Sequence, residues 1–414
     1  MSLAVTGAVL DGETVGLRCE EGRIAALGPE VVAGPGDETV EAGGAPLVAP
    51  LLNGHTHAAM TLFRGSGGDL PLMPWLEERI WPIEAELDAD DVYWGTRLAC
   101  AEMTRTGTTR FWDMYWHPEA TARAVADAGI RATVGAPLFD HDGNAEGMRR
   151  TALESLERLC GLGPVVEPAL APHSIYTVSE ASLRWIAELS DERQVPIQIH
   201  LAETAREVED CVAAHGLRPA AYLDSLGMLS ERAVLAHGVW LDREELELIA
   251  ARGATVVTNP VANMKLAVGG VFPYPAARAA GVAIGLGSDG AGSNDSLDLL
   301  ADLKTFALAQ KHAAADPTAI AAADAWAVAT GALAPLLGAG EALTVGGPAD
   351  FLLLDPGAPE LRIGDLTSNL VYAAAGSAVD TAVVGGRVLM RGGELPALDE
   401  ILARAAERAH RLGL

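Results

Sequence analysis

Positive charge is scarce in this 414-residue chain: 29 Lys and Arg stand against 56 Asp and Glu, giving a formal net charge of −27. Such an excess of acid repels phosphate backbones and anionic lipid surfaces, which removes nucleic acid and membrane from the expected partners and leaves a small molecule. Lysine is nearly missing, with Lys265, Lys304 and Lys311 the complete set. Cysteine is sparse too. Cys19, Cys100, Cys160 and Cys211 are scattered without a Cys-x-x-Cys pair, so no disulfide framework is expected and the thiols read as reduced and mostly buried. No apolar run is long enough to span a bilayer. The opening "MSLAVTGAVLDGETVGLRCEEGRIAALG" brings acid and glycine before a signal-peptide core could form, so the expected location is the cytoplasm. Long internal repeats, low-complexity tracts and heptads are absent as well.

What the chain does have is apolar content, half of its residues, enough for a large core. Between residues 47 and 290 eight short apolar or β-branched runs occur, at 47–53, 108–114, 131–138, 165–173, 195–201, 232–239, 254–260 and 282–289. Intervening stretches such as "TARAVADAGI" and "DREELELIAARG" carry apolar residues at helical spacing, with charge on the other face. Eight strand-then-helix units predict an α/β fold, a (β/α)8 TIM barrel. The flanks are strand-rich and broken by glycine turns, as in "VVGGRVLM". Each is too short to stand alone. The expected organisation is therefore a barrel over 47–341 beside a small β-sandwich made from residues 1–46 and 342–414, the latter including a terminal helix.

In such a barrel the chemistry lies where the strands end. His55 and His57 close the first run, His173 the fourth, His200 the fifth with Glu203 shortly after, His237 the sixth, and Asp289 the eighth. Taken singly, His200 or His237 could be a core histidine and Asp289 a turn or cap residue. Together they fall at one mouth, where unrelated accidents would be spread over both ends. Three imidazoles and one carboxylate suit zinc, with ferrous iron the other fit, and leave a position open for water that the ion makes acidic near pH 7. Asp289 would take the proton of that water, His237 would hold the resulting hydroxide in line, and Glu203 would protonate the substrate. A second ion would need a bridging ligand such as a lysine after the fourth strand, and none of the three lysines is there. One divalent ion per subunit is expected.

With these residues assembled, the chain resembles the amidohydrolase superfamily, in particular its branch of S-adenosylhomocysteine and 5′-methylthioadenosine deaminases, related to the triazine hydrolases. The matching stretches are "PLLNGHTHAAMTLFRG", "PWLEERIWPIEAEL", "EMTRTGTT", "APHSIYT", "IHLAET", "NPVANMKLA", "GLGSDGAGSND" and "LVYAAAGSAVDTAVVGGRVLMRGGEL". The resemblance implies that His55, His57, His200 and Asp289 bind the metal, that His237 orients the water, and that Glu203 moves protons. It also implies that Trp75 packs on the 5′ substituent and that Glu84 and His173 contact the ribose. Relatives that accept the homocysteine carboxylate carry arginines at and after the third strand; here that strand ends "GAPLFD" and Arg149 and Arg150 follow, with Arg149 the candidate clamp. Thr258 stands where many relatives have histidine.

The expected activity is metal-dependent hydrolytic deamination of an adenine nucleoside, namely 5′-methylthioadenosine, S-adenosylhomocysteine, adenosine or 5′-deoxyadenosine, to the inosine analogue and ammonia. The rival substrates for the same site are a free base, a pterin or an aminotriazine. A metal-binding scaffold without turnover is a third reading, which the presence of Glu203 disfavours. The zinc deaminases of nucleic-acid editing are excluded because no Pro-Cys-x-x-Cys occurs. A homo-oligomer is compatible with all of these. Gly67 and Gly68 would let the loop from Arg64 to Leu87 move over a substrate.

Overall fold

The computed structural model describes residues 2–66, 69–140, 143–338 and 343–414. Gly67 and Gly68, and the expected domain boundary at 341–342, lie outside the described residues. Eight parallel strands form one sheet in chain order: Leu51–Thr56, Thr108–Met114, Arg131–Leu138, Val166–Pro172, Ile197–Leu201, Ala233–His237, Thr255–Thr258 and Ala283–Leu286. The first and eighth meet at their ends, where Asp289 N–H donates to the His55 carbonyl at 3.0 Å. This is the expected barrel. Its seam is tight enough to demand glycine, since a Cβ on Gly287 would stand 2.3 Å from Asn259 Oδ1 and 2.9 Å from the His55 carbonyl oxygen.

The strand boundaries differ most from the sequence reading at the first strand, and the sixth to eighth strands end two or three residues earlier than read. Leu47 and Val48 belong to another sheet, and the first barrel strand starts at Leu51 and runs through His55 to Thr56. Pro50 separates the two elements by denying the ladder an N–H.

Local chemistry sets the helices around the barrel. Asp88 and Asp242 each cap a helix, Ala89–Arg105 and Arg243–Arg252, with reciprocal capping boxes. The interior is filled by Leu52, Trp112, Ala169, Val234 and Val257 from the first, second, fourth, sixth and seventh strands, with Ala334 and Leu337 packed against them. Trp112 Nε1 satisfies itself on the Leu337 carbonyl at 3.1 Å.

The flanks form two four-stranded sheets. One is built from Ser2–Leu10, Glu13–Glu20, Arg23–Gly28 and Glu38–Glu41; the other from Phe351–Leu354, Val379–Val384, Arg387–Met390 and Leu47–Val48. Leu3, Val5 and Leu17 of the first bury against Phe351, Leu353 and Val383 of the second, which makes them one sandwich core. The terminal helix Leu398–Arg411 goes elsewhere, onto the barrel helix Ala89–Arg105, where Arg411 pairs with Asp91. Cys19, Cys100 and Cys211 are buried free thiols and Cys160 is exposed. No described helix is long and apolar enough to cross a membrane.

Candidate active site

The strand ends converge as their sequence positions predict. His55, His200, His237 and Asp289 present ligand atoms all within 4.8 Å of one another, and every one of these residues is buried. His57, expected among the ligands, stands beside that group: its Nε2 lies 3.3 Å from Asp289 Oδ1, against 3.5 Å for His55 Nε2. His237, expected to orient water, is the fourth member of the compact set.

Most of these imidazoles are fixed through Nδ1, which turns Nε2 to the centre. His57 Nδ1 bonds the Met114 carbonyl, His200 Nδ1 the His173 carbonyl at 2.8 Å, and His237 Nδ1 the Asn263 amide oxygen at 2.8 Å. Asp113, on the second strand, accepts the Ala58 N–H at 2.7 Å and so pins the turn that follows His57. Ser293 donates to Asp289 Oδ2 at 2.7 Å, and Thr56 donates to the Asp289 carbonyl at 2.9 Å. Ala202, His237 and Asp289 all have positive φ, at 51°, 76° and 62°. Non-glycine residues hold that conformation only when their surroundings enforce it.

His55 tests whether a metal fits. The residue is fully buried, and neither ring nitrogen makes a hydrogen bond. A buried polar atom without a partner is costly, and a cation among three imidazoles and a carboxylate satisfies it. Burial pushes the imidazoles of His55 and His173 down, to about 4 and about 3, and that of His200 well below its usual range. They are therefore neutral at pH 7, as metal ligation requires. Burial would lower His57 too, but contact with Asp289 outweighs it and raises the group to about 9. Burial and the neighbouring Asp289 push the Glu203 carboxyl up to about 8, and its Oε2 lies 3.9 Å from His237 Nε2. The centre thus pushes two neighbouring carboxyl groups in opposite directions, Asp289 down and Glu203 up, the division acid and base chemistry needs.

A cavity of about 730 Å³ opens over this centre. Trp75, Glu84 and His173 line it. Enclosure raises the Glu84 carboxyl, while Tyr115, His57 and Trp116 act in the opposite direction. Arg149 does not line the cavity: its Nε donates to Ser182 Oγ at 2.8 Å. The arginine that does is Arg158, further along the same helix and paired with Glu119 and Glu154 at 3.0 and 3.1 Å. Sequence reasoning also passed over Tyr115, Phe139 and Tyr176, which wall the cavity, and Asn263, which holds His237. Tyr115 and Phe139 could have been found, because each directly follows the end of a barrel strand.

Comparison with known proteins agrees with this geometry. A 5′-deoxyadenosine deaminase of Methanoregula boonei is 48% identical over 92% of this chain and 87% of its own length. A 5-methylthioadenosine/S-adenosylhomocysteine deaminase of Syntrophobacter fumaroxidans is 42% identical over 97% of this chain and 96% of its own. The crystal structure of an adenosine deaminase from Xanthomonas campestris with bound zinc superposes with a TM-score of 0.93 at 34% identity, covering 100% of this chain and 98% of that one. Residues 47–389 match the amidohydrolase family model, and the chain belongs to that family.

Proposed function

We propose that this protein is a metal-dependent aminohydrolase that deaminates an adenine nucleoside at C6. The observation that carries the reading is the buried Glu203 carboxyl, 3.9 Å from His237 and beside a metal-fitting cluster, in a cavity whose wall carries Glu84. His55, His200, Asp289 and an imidazole of His57 or His237 would hold a divalent cation, zinc being the best fit to these donors, which would make a water acidic enough to supply the nucleophile near pH 7.

The chain's own groups do the rest. Asp289 takes a proton from the attacking water, and His237, oriented by Asn263, holds the oxygen in line with C6. Glu203 gives its proton to a ring nitrogen as the C–O bond forms. The C–N bond then breaks, and the amine leaves as ammonia with a proton returned through the same carboxyl groups. Glu84 and His173 hold the ribose hydroxyls and Trp75 packs on the 5′ substituent, in keeping with their places on the cavity wall.

Arg149 is tied to Ser182, and Arg158 is paired with two glutamates. Neither is poised to clamp a carboxylate, so an uncharged 5′ group, as in 5′-deoxyadenosine or 5′-methylthioadenosine, fits better than the homocysteine of S-adenosylhomocysteine. The free thiols suit a reducing compartment, and we place the activity in the cytoplasm. The deciding experiment measures ammonia release by zinc-loaded and metal-stripped protein against these nucleosides and guanine. Metal-dependent turnover of a nucleoside supports the reading; turnover of guanine alone would replace it with the free-base alternative.

A further inference from the structure

The proton-moving role of Glu203 depends on a corner of backbone that the chain does not adopt readily. Immediately after the fifth barrel strand, Ala202 takes φ +51°, a left-handed conformation that costs an alanine where it costs a glycine little. Glu203 follows directly, and the helix Ala205–His215 begins two residues later with Thr204 as its cap.

One side chain spans this corner. Glu207 Oε1 accepts the Ala202 N–H at 2.8 Å and Oε2 accepts the Glu203 N–H at 2.9 Å, while Glu207 N–H donates back to Thr204 Oγ1 at 3.1 Å. The Thr204-x-x-Glu207 pattern is that of a capping box, in which the glutamate ordinarily returns to the N–H of the cap residue. Here both oxygens reach further back, beyond the helix. The carboxyl is buried, with the residue only 7% exposed, and other backbone groups brace the same corner: Trp240 N–H donates to the Ala202 carbonyl at 2.9 Å and Gly238 N–H to the Leu201 carbonyl at 3.0 Å.

We infer that Glu207 is a positioning residue for catalysis: its carboxyl group clamps the Ala202 and Glu203 amides and so aims the Glu203 side chain into the centre. This rests on the reading of Glu203 as the proton carrier. Glu207 lines no part of the cavity. Its two acceptors sit on two separate N–H groups, a job an amide cannot do, because the NH2 of glutamine would face a donor with a donor.

The test is a double-mutant cycle in the zinc-loaded full-length protein, using Glu207→Gln, Glu203→Gln and both together. Turnover of 5′-deoxyadenosine or 5′-methylthioadenosine is followed at enzyme concentrations that make residual rates measurable. Metal content and Tm are measured beside it. Glu207→Gln should lower kcat by about tenfold or more, the scale on which supporting residues act. KM should stay within about threefold and metal content at the wild-type level, because neither substrate contacts nor ligands are changed. In the Glu203→Gln background the same substitution should cost less than about twofold, since nothing remains for it to aim.

A full second loss in that background, or a loss that tracks metal content, overturns the inference while leaving the proton carrier standing. So does wild-type kcat in Glu207→Gln when Glu203→Gln is crippled. Unchanged turnover in Glu203→Gln overturns the proton-carrier reading and this inference with it, and is told apart from the other outcomes by that single variant. Should Glu207→Gln fail to fold, Glu207→Asp, which keeps the carboxyl group but is one methylene too short to hold both amides, takes its place in the cycle with the same expected pattern.

Discussion

His237 and Asn263 are joined by a 2.8 Å hydrogen bond from the imidazole Nδ1–H to the amide oxygen, which fixes the ring so that Nε2 faces the Glu203 carboxyl 3.9 Å away. Asn263 lies on the short helix Pro260–Lys265 after the seventh strand, so a side chain outside the cavity orients one inside it. Replacing Asn263 with Ala should reduce kcat/KM by about 10- to 100-fold, as removing such a partner typically does, without unfolding the protein. Steady-state kinetics with circular dichroism as the control would check this; full activity would mean that His237 needs no such anchor.

Glu203 leads to a pH dependence. Burial and Asp289 raise its carboxyl to about 8, so the proton it donates is present at pH 7 and is lost as pH rises through that value. A cation bound nearby favours the ionised form and moves the transition lower. The alkaline limb of kcat/KM should therefore fall at or below about pH 8, one decade of rate per pH unit. A profile flat to pH 10 would remove Glu203 as the donor.

Metal removal should abolish turnover and lower Tm, because a ligand at about a thousand times its Kd adds about 4 kcal/mol to the folded state. His55→Ala should weaken reloading, since this buried imidazole makes no hydrogen bond that would explain it otherwise. Metal analysis after dialysis against chelator and then zinc would check both. Retained turnover in metal-free protein would refute the mechanism.

Glu84 separates nucleosides from bases. Glu84→Ala should raise KM for 5′-deoxyadenosine by about tenfold or more if the carboxyl group holds the ribose, the scale of a hydrogen bond to a charged group. Activity on a free base, if there is any, should be unaffected. Loss on both would place Glu84 in the fold of the cavity wall and not in substrate recognition.

The sandwich contributes stability of its own. Phe351 is completely buried between the two flanking sheets, and Phe351→Ala should cost about 3–5 kcal/mol by removing a large core side chain. Urea denaturation would report it. A loss below about 1 kcal/mol would mean that the two sheets relax apart independently.

Much of this was readable in the chain. Period-two and period-3.6 patterning specify strands and helices because burial acts on one face of each, and eight such alternations leave few topologies besides a barrel. The five mouth histidines, Glu203 and Asp289 were legible for the same reason: strand ends are local features, and a barrel turns their sequence order into one ring. What patterning could not decide was contact between segments far apart in the chain. Leu47 and Val48 look like the start of the first barrel strand, yet pair with Leu352 and Leu353, some three hundred residues away. Arg149 and Arg158 share one helix, and only the packing of its neighbours determines that Ser182 takes the first while the second reaches the cavity wall. The grouping of His237 with His55, His200 and Asp289 while His57 stands beside them, and the turn of Glu207 back onto Ala202 and Glu203, were likewise set by tertiary structure. Each depends on distances of a few ångströms set by the whole closed barrel, where a shift of one side chain changes a partner without altering the local pattern that encodes it.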